Sequence, residues 1–157
     1  MKKKLLVPMA LALAAGVVTT SVAIATPGSG VVFSEIVGRG TLAPHFKIRL
    51  RDSSRPGDVL VQRITIAPGG YTGWHTHPGP AVVIVKSGAL TLYDSDDPNC
   101  TPTLYAAGQV FVDGGYGHVH FGRNEGATNT ELVVTYLDVP PGAAPREDAP
   151  DPGNCSF

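Results

Sequence analysis

Helical periodicity is the first thing this sequence lacks. Beyond its first 25 residues, no window of eleven or more places its apolar positions at a 3.6-residue period, and 19 glycines and 14 prolines interrupt it at short intervals. That excludes a helical bundle and the alternating α/β folds. Basic charge is scarce too: 12 Lys and Arg stand against 13 Asp and Glu. Arg49, Arg51, Arg55 and Arg63 are scattered, with no basic run and no aromatic platform beside them, so nucleic acid is not an expected partner. The two cysteines are too few for an all-thiolate zinc cage or a disulfide-dense miniature scaffold.

There is one long apolar run, and it is at the N-terminus. Lys2, Lys3 and Lys4 precede it, Leu5 to Val18 is apolar apart from Pro8 and Gly16, and Ala23-Ile24-Ala25 offers small residues for a peptidase cut. The run is short for a membrane span, so residues 1–25 are expected to be a signal peptide. No Cys follows that would make a lipoprotein anchor. Cleavage leaves 132 residues with a net charge of about −4 and no stable membrane anchor, secreted or held in the cell envelope. In that oxidising compartment Cys100 and Cys155 are expected to pair, which would pin an extended tail over residues 140–157 that is too poor in apolar residues to hold itself down.

What the mature chain has is short β-branched runs, separated by turn residues. The runs are Val31–Val37, Phe46–Arg51, Val59–Ala67, Ala81–Lys86, Ala89–Tyr93, Thr103–Tyr105, Gln109–Val112, His118–Arg123 and Glu131–Val139. Strands of this length and spacing predict an all-β sandwich or barrel over residues 26–139.

It also has paired histidines. Four of the five form His75-Thr76-His77 and His118-Val119-His120. On a strand, residues i and i+2 share a face, so each pair is expected to present two imidazoles side by side. Imidazole is the commonest protein ligand for first-row transition metals. His45 has no such partner and reads as structural or surface. Trp74 alternates away from the ligand face, as a packing residue. Tyr71, Asp113, Tyr116 and Glu125 flank the pairs. Gly114-Gly115-Tyr116-Gly117 reads as a tight turn.

The stretch from Gly69 to Gly88 resembles the first cupin motif, in which Gly, five residues, His-x-His, three or four residues, Glu, six residues and Gly follow in order. Gly69, His75, His77 and Gly88 fall in place, and Ala81 occupies the glutamate position. A second stretch is similar to the second cupin motif. With His120 in its histidine position, Gly117 and Asn124 fit, Gly115 replaces a proline, and Gly108 lies one residue too far upstream. A rival source of His-x-His, the metallo-β-lactamase signature, needs an Asp where Gly79 stands.

The resemblance covers about residues 59–138. It implies a double-stranded β-helix, or jelly-roll barrel, with a divalent transition metal (Fe, Zn, Mn, Ni or Cu) held by His75, His77 and His120. His118 is implied as a fourth ligand or a group behind the ligands, and Tyr71 and Tyr116 as residues of a ligand pocket. It implies a small-molecule substrate or ligand and, by analogy, a homodimer. Loss of the glutamate leaves three readings open: a metal-dependent enzyme such as a dioxygenase, a non-catalytic cupin that binds a metal or a sugar-like ligand, or a degenerate cupin whose histidines bind nothing. The fold hosts many functions.

Overall fold

A computed structural model of the chain describes residues 35–43, 47–50 and 54–157. The expected signal peptide and His45 lie outside these residues. The described residues form ten strands and no helix: β1 Thr41–Leu42, β2 Asp58–Ile66, β3 His75–Thr76, β4 Ala81–Ser87, β5 Ala89–Asp94, β6 Thr103–Ala106, β7 Gln109–Asp113, β8 His120–Arg123, β9 Thr130–Val139 and β10 Glu147–Asp148. They make two five-stranded sheets, in the orders β1-β7-β4-β9-β2 and β10-β3-β8-β5-β6. This is the all-β architecture that the strand spacing predicts, in the jelly-roll form that the cupin resemblance implies.

Alternation decides which side chains fill it. On β4, Ala81, Val83 and Val85 point inward and are buried; on β9, Leu132, Val134 and Tyr136 do the same. Ile66, Leu90 and Phe111 complete the core between the sheets. Gly88 carries the chain from one sheet to the other with φ of 71°, and a Cβ there would lie 2.7 Å from the Asn129 carbonyl oxygen. The motif asparagine, Asn124, is fully buried. Its Nδ2 donates to the Ile66 and Thr128 carbonyls and its Oδ1 accepts from the Gly126 amide, so it staples the β8–β9 turn to the end of β2.

Two expected strands differ. Glu35–Val37 and Lys47–Leu50 are not strands, and the apolar side chains of Ile36, Val37, Ile48 and Leu50 are exposed. β-Branched composition alone does not make a strand where no neighbour supplies a ladder. The outer strand is instead the short β1, parallel to β7. The third difference is in the tail: Glu147 and Asp148, read as extended chain, pair with Thr76 and His75 of β3.

Cys100 and Cys155 form a disulfide, closing a separation of 55 residues. Both sulfurs pack on a second small core of Trp74, Tyr93 and Phe121. Asn154 adds hydrogen bonds from its Nδ2 to the carbonyls of Asp94 and Asp97. Closing such a loop stabilises by about 4 kcal/mol in the chain-entropy model. The Cys100→Ser/Cys155→Ser variant is therefore expected to lose about 2–5 kcal/mol in non-reducing denaturant unfolding. A loss under 1 kcal/mol would mean that strand pairing and Asn154 alone fix the tail.

Candidate metal centre

Three histidines meet at one end of the barrel because β3 and β8 pair at one register point, His75 opposite His120. His77 follows β3 and turns its ring to the same side. The ring centroids are 4.4 Å (His75–His120), 5.0 Å (His75–His77) and 5.2 Å (His77–His120) apart, and each residue is 5% exposed. One ring nitrogen from each lies within 4.8 Å of the other two.

The main chain fixes two of these rings. His75 Nδ1 is 2.9 Å from the Gly73 carbonyl oxygen, and His77 Nδ1 is 2.8 Å from that of Pro145. A carbonyl only accepts, so each Nδ1 carries the proton and each Nε2 keeps its lone pair. Desolvation by burial holds all three rings neutral: it pushes His75 down to about 4 and His120 to about 3, and lowers His77. The positive charge of Arg146 adds to the effect at His75 and His77. The Nδ1 of His120 is buried without a hydrogen-bond partner among the described residues, 3.4 Å from Asp113 Oδ1. Neutral, oriented imidazoles with bare nitrogens facing one point are the donor set that suits a divalent transition metal.

Ala81 leaves the glutamate position without a carboxylate, but the face keeps one. Directly opposite Ala81 on β7 stands Asp113, and directly opposite on β9 stands Tyr136. Residues paired across a ladder share a face. Asp113 is 5% exposed, accepts from the Gly115 amide, and bonds His118 Nδ1 at 2.6 Å. Burial pushes the Asp113 carboxyl up, but the His118 hydrogen bond and the nearby imidazoles outweigh it and hold the carboxyl below its usual range.

His118 lies outside the group of His75, His77 and His120 and groups instead with Asp113 and His120. β8 begins at His120, so the pair is not side by side on one strand as the sequence suggested. The Nδ1 of His118 is taken by Asp113, and its Nε2 lies 2.6 Å from Asp94 Oδ1 in an ion-pair contact. The Asp113 hydrogen bond, against partial desolvation, pushes His118 up to about 9. With Asp113 it forms a charged pair behind His120.

The two tyrosines separate. Tyr71 is exposed, stacks on Phe121 at 5.4 Å, and lines the cleft outside the triad. Tyr116 sits at φ of 56°, its hydroxyl donates to Asp138, and it lines a different cleft. The adjacent Gly115 is where this turn approaches backbone, not ligand: a Cβ there would lie 2.1 Å from the Gly79 carbonyl oxygen. Trp74 is core, as expected, and Glu125 accepts hydrogen bonds from Thr91 and Tyr93.

Three groups of the site escaped sequence reading. Tyr136 sets its ring 5.1 Å from that of His77, tilted by 58°, and donates to Gln62 Oε1; it is the last inward residue of the alternating run Leu132, Val134, Tyr136. Pro145 contributes a carbonyl and Arg146 a guanidinium, both from the tail, where no motif marks them.

Residues 62–136 match the family model described as a cupin domain. That stretch is a cupin domain, and the barrel has the all-β cupin fold. No curated protein sequence matches it. Among solved structures it is similar to a conserved Klebsiella pneumoniae protein with a double-stranded β-helix domain, at 23% identity over 64% of this chain and 84% of that one, with a TM-score of 0.49. It is similar also to a predicted oxalate decarboxylase from Thermotoga maritima, at 26% identity over 51% and 65% of the two chains, TM-score 0.42. A polyketide cyclase of Streptomyces resistomycificus matches at 17% identity over 53% and 56%, TM-score 0.46.

The opposite shifts of these histidines fix a pH profile for the metal-free cupin. The triad pKa values are depressed, so the unfolded chain binds more protons between about pH 6.5 and 4, and stability falls as pH falls through that window. His118 is raised, so its contribution is complete below about pH 6.5 and is lost as pH rises through about 9. Unfolding free energy measured against pH should peak near 6.5, and His118→Gln should flatten the alkaline limb alone. An unchanged alkaline slope in that variant would contradict the His118–Asp113 ion pair.

Proposed function

We propose that this cupin is an exported metal-dependent enzyme of the oxidoreductase type that acts on a small molecule. The observation that carries the reading is the set of three neutral, buried imidazoles, two of them locked by main-chain carbonyls, converging on the end of an apolar cavity. His75, His77 and His120 would hold a divalent transition metal, which when bound supplies Lewis-acid or one-electron chemistry. Three protein ligands leave coordination positions for substrate, as open sites do. The cavity behind them is about 50 Å³ and is walled by Val83, Leu90, Phe111, Leu132 and Val134. It admits a few water-sized groups.

The chain's own residues set the conditions. Gly73 and Pro145 hold two rings in one tautomer. Asp113, anchored by Gly115 and His118, places a negative charge behind His120, where it raises the basicity of that ring. Tyr136 keeps its phenolic proton, because burial pushes its pKa up, and sets its ring beside His77 while its hydroxyl donates to Gln62. The disulfide supports the expected location, since such bonds persist in oxidising compartments.

A second reading, a non-catalytic cupin that binds metal or ligand, is favoured by Ala81, which leaves no carboxylate on β4. It predicts stabilisation by ligand without turnover.

Elemental mass spectrometry of the mature, disulfide-intact protein is expected to find close to one Fe, Cu, Mn, Ni or Zn per chain. His75→Ala/His77→Ala should carry less than about a tenth of that, while His118→Gln, outside the triad, should keep its metal. A well-folded wild-type protein that is empty and takes up no added metal would sink the enzyme reading.

A further inference from the structure

The triad cavity adjoins a larger cleft of about 530 Å³, and the two share Ile64, Thr72, His75 and Tyr136 in their walls. A molecule bound in the cleft therefore meets His75 of the triad. The size suits a small organic ligand. The inner walls are largely apolar, from Ile64, Ile66 and Ala67, with Tyr71 and Tyr136 adding aromatic surface. Arg146 is the one charged side chain among the described residues that line it.

Arg146 is held in place on both sides. Before it, the Gly142 amide donates to Asp58 Oδ2. After it, β10 pairs with β3, the Ala149 amide donates to the Trp74 carbonyl, and Cys155 is bonded to Cys100. The guanidinium itself donates from Nη2 to the Thr72 carbonyl at 2.7 Å, and its Nη1 pairs with Asp148. A guanidinium has five N–H donors, so these contacts leave others for a ligand. Asp148 is 81% exposed by side chain, and exposed pairs of this kind are weak. It is an exchangeable counterion on a fixed cation.

We propose that Arg146 is the anion-recognition residue of this site, and that the molecule it accepts is a small carboxylate with an apolar body. Its carboxylate takes the place of Asp148 on the guanidinium, and its apolar end lies along Ile64 and Tyr136 toward the triad. The pairing of planar guanidinium with carboxylate supplies both orientation and selectivity over neutral analogues. The metal reading gives this geometry its catalytic meaning, but the binding itself does not require the metal.

Titration with 3-phenylpropionate, and with 3-phenylpropionamide as its neutral isostere, followed by ¹H–¹⁵N NMR, tests the assignment in metal-free and Zn(II)-treated protein. The acid should shift the amides of Thr72, His75 and Arg146 and bind at least tenfold more tightly than the amide. Arg146→Gln should weaken the acid at least tenfold with an unchanged thermal midpoint, Arg146→Lys should recover part of the loss, and Asp148→Asn should bind the acid more tightly than wild type. Equal binding of acid and amide, wild-type affinity in Arg146→Gln, or no binding of the acid to wild type would overturn the proposal. Failure of Zn(II) to bind would defeat the metal reading alone, because the metal-free titration still judges Arg146.

Discussion

The site depends on one ladder contact, the pairing of β3 with β8 at His75 and His120. β3 is two residues long, and its neighbours in the sheet are β8 on one side and β10 on the other. That position places His75 against His120 and, through β10, against Asp148. The same short strand therefore brings the second motif and the tail to the first motif. Remove its pairing and the three imidazoles belong to unconnected stretches of sequence. The carbonyls of Gly73 and Pro145 then act on what the pairing has assembled, since each fixes a proton on the outward nitrogen and leaves the inward one bare.

The charge arrangement around the triad follows from the missing glutamate. A β4 carboxylate beside three imidazoles would place a negative charge among the ligands themselves. Here the carboxylate of the same face is on β7, at Asp113, and it is already engaged by Gly115 and a protonated His118. Its charge is felt by the ligands from behind. A metal bound by the triad would keep more of its positive charge than one bound by three histidines and a glutamate, which favours anionic partners at the open positions.

Much of this was legible in the sequence, for identifiable reasons. The all-β class was readable because short alternating runs separated by glycine turns have few solutions, and His75, His77 and His120 because they fall in the histidine positions of the two cupin motifs. His118 looked like an equal member of its pair, since periodicity cannot tell where a strand begins. Two aspartates decide its role, and one of them, Asp94, is distant in sequence. Tyr116 lay beside the motif but turns away, because a left-handed backbone and Asp138 direct it elsewhere. Pro145 and Arg146 left no trace: one acts through its main chain, and the other is a single arginine in a stretch that reads as tail. The runs at 35–37 and 47–50 show the converse, composition without a partner strand.

The tail lies outside the residues that match the family, yet its Pro145 carbonyl orients a ring of the triad and its guanidinium stands at the entrance. The barrel and the selectivity of its mouth are thus encoded separately. Relatives could keep every histidine and every core residue and still differ in what they admit, by exchanging side chains of the short segment after β9. Likeness across the domain would then be a poor guide to shared substrates, and the segment after β9 would be the place to compare.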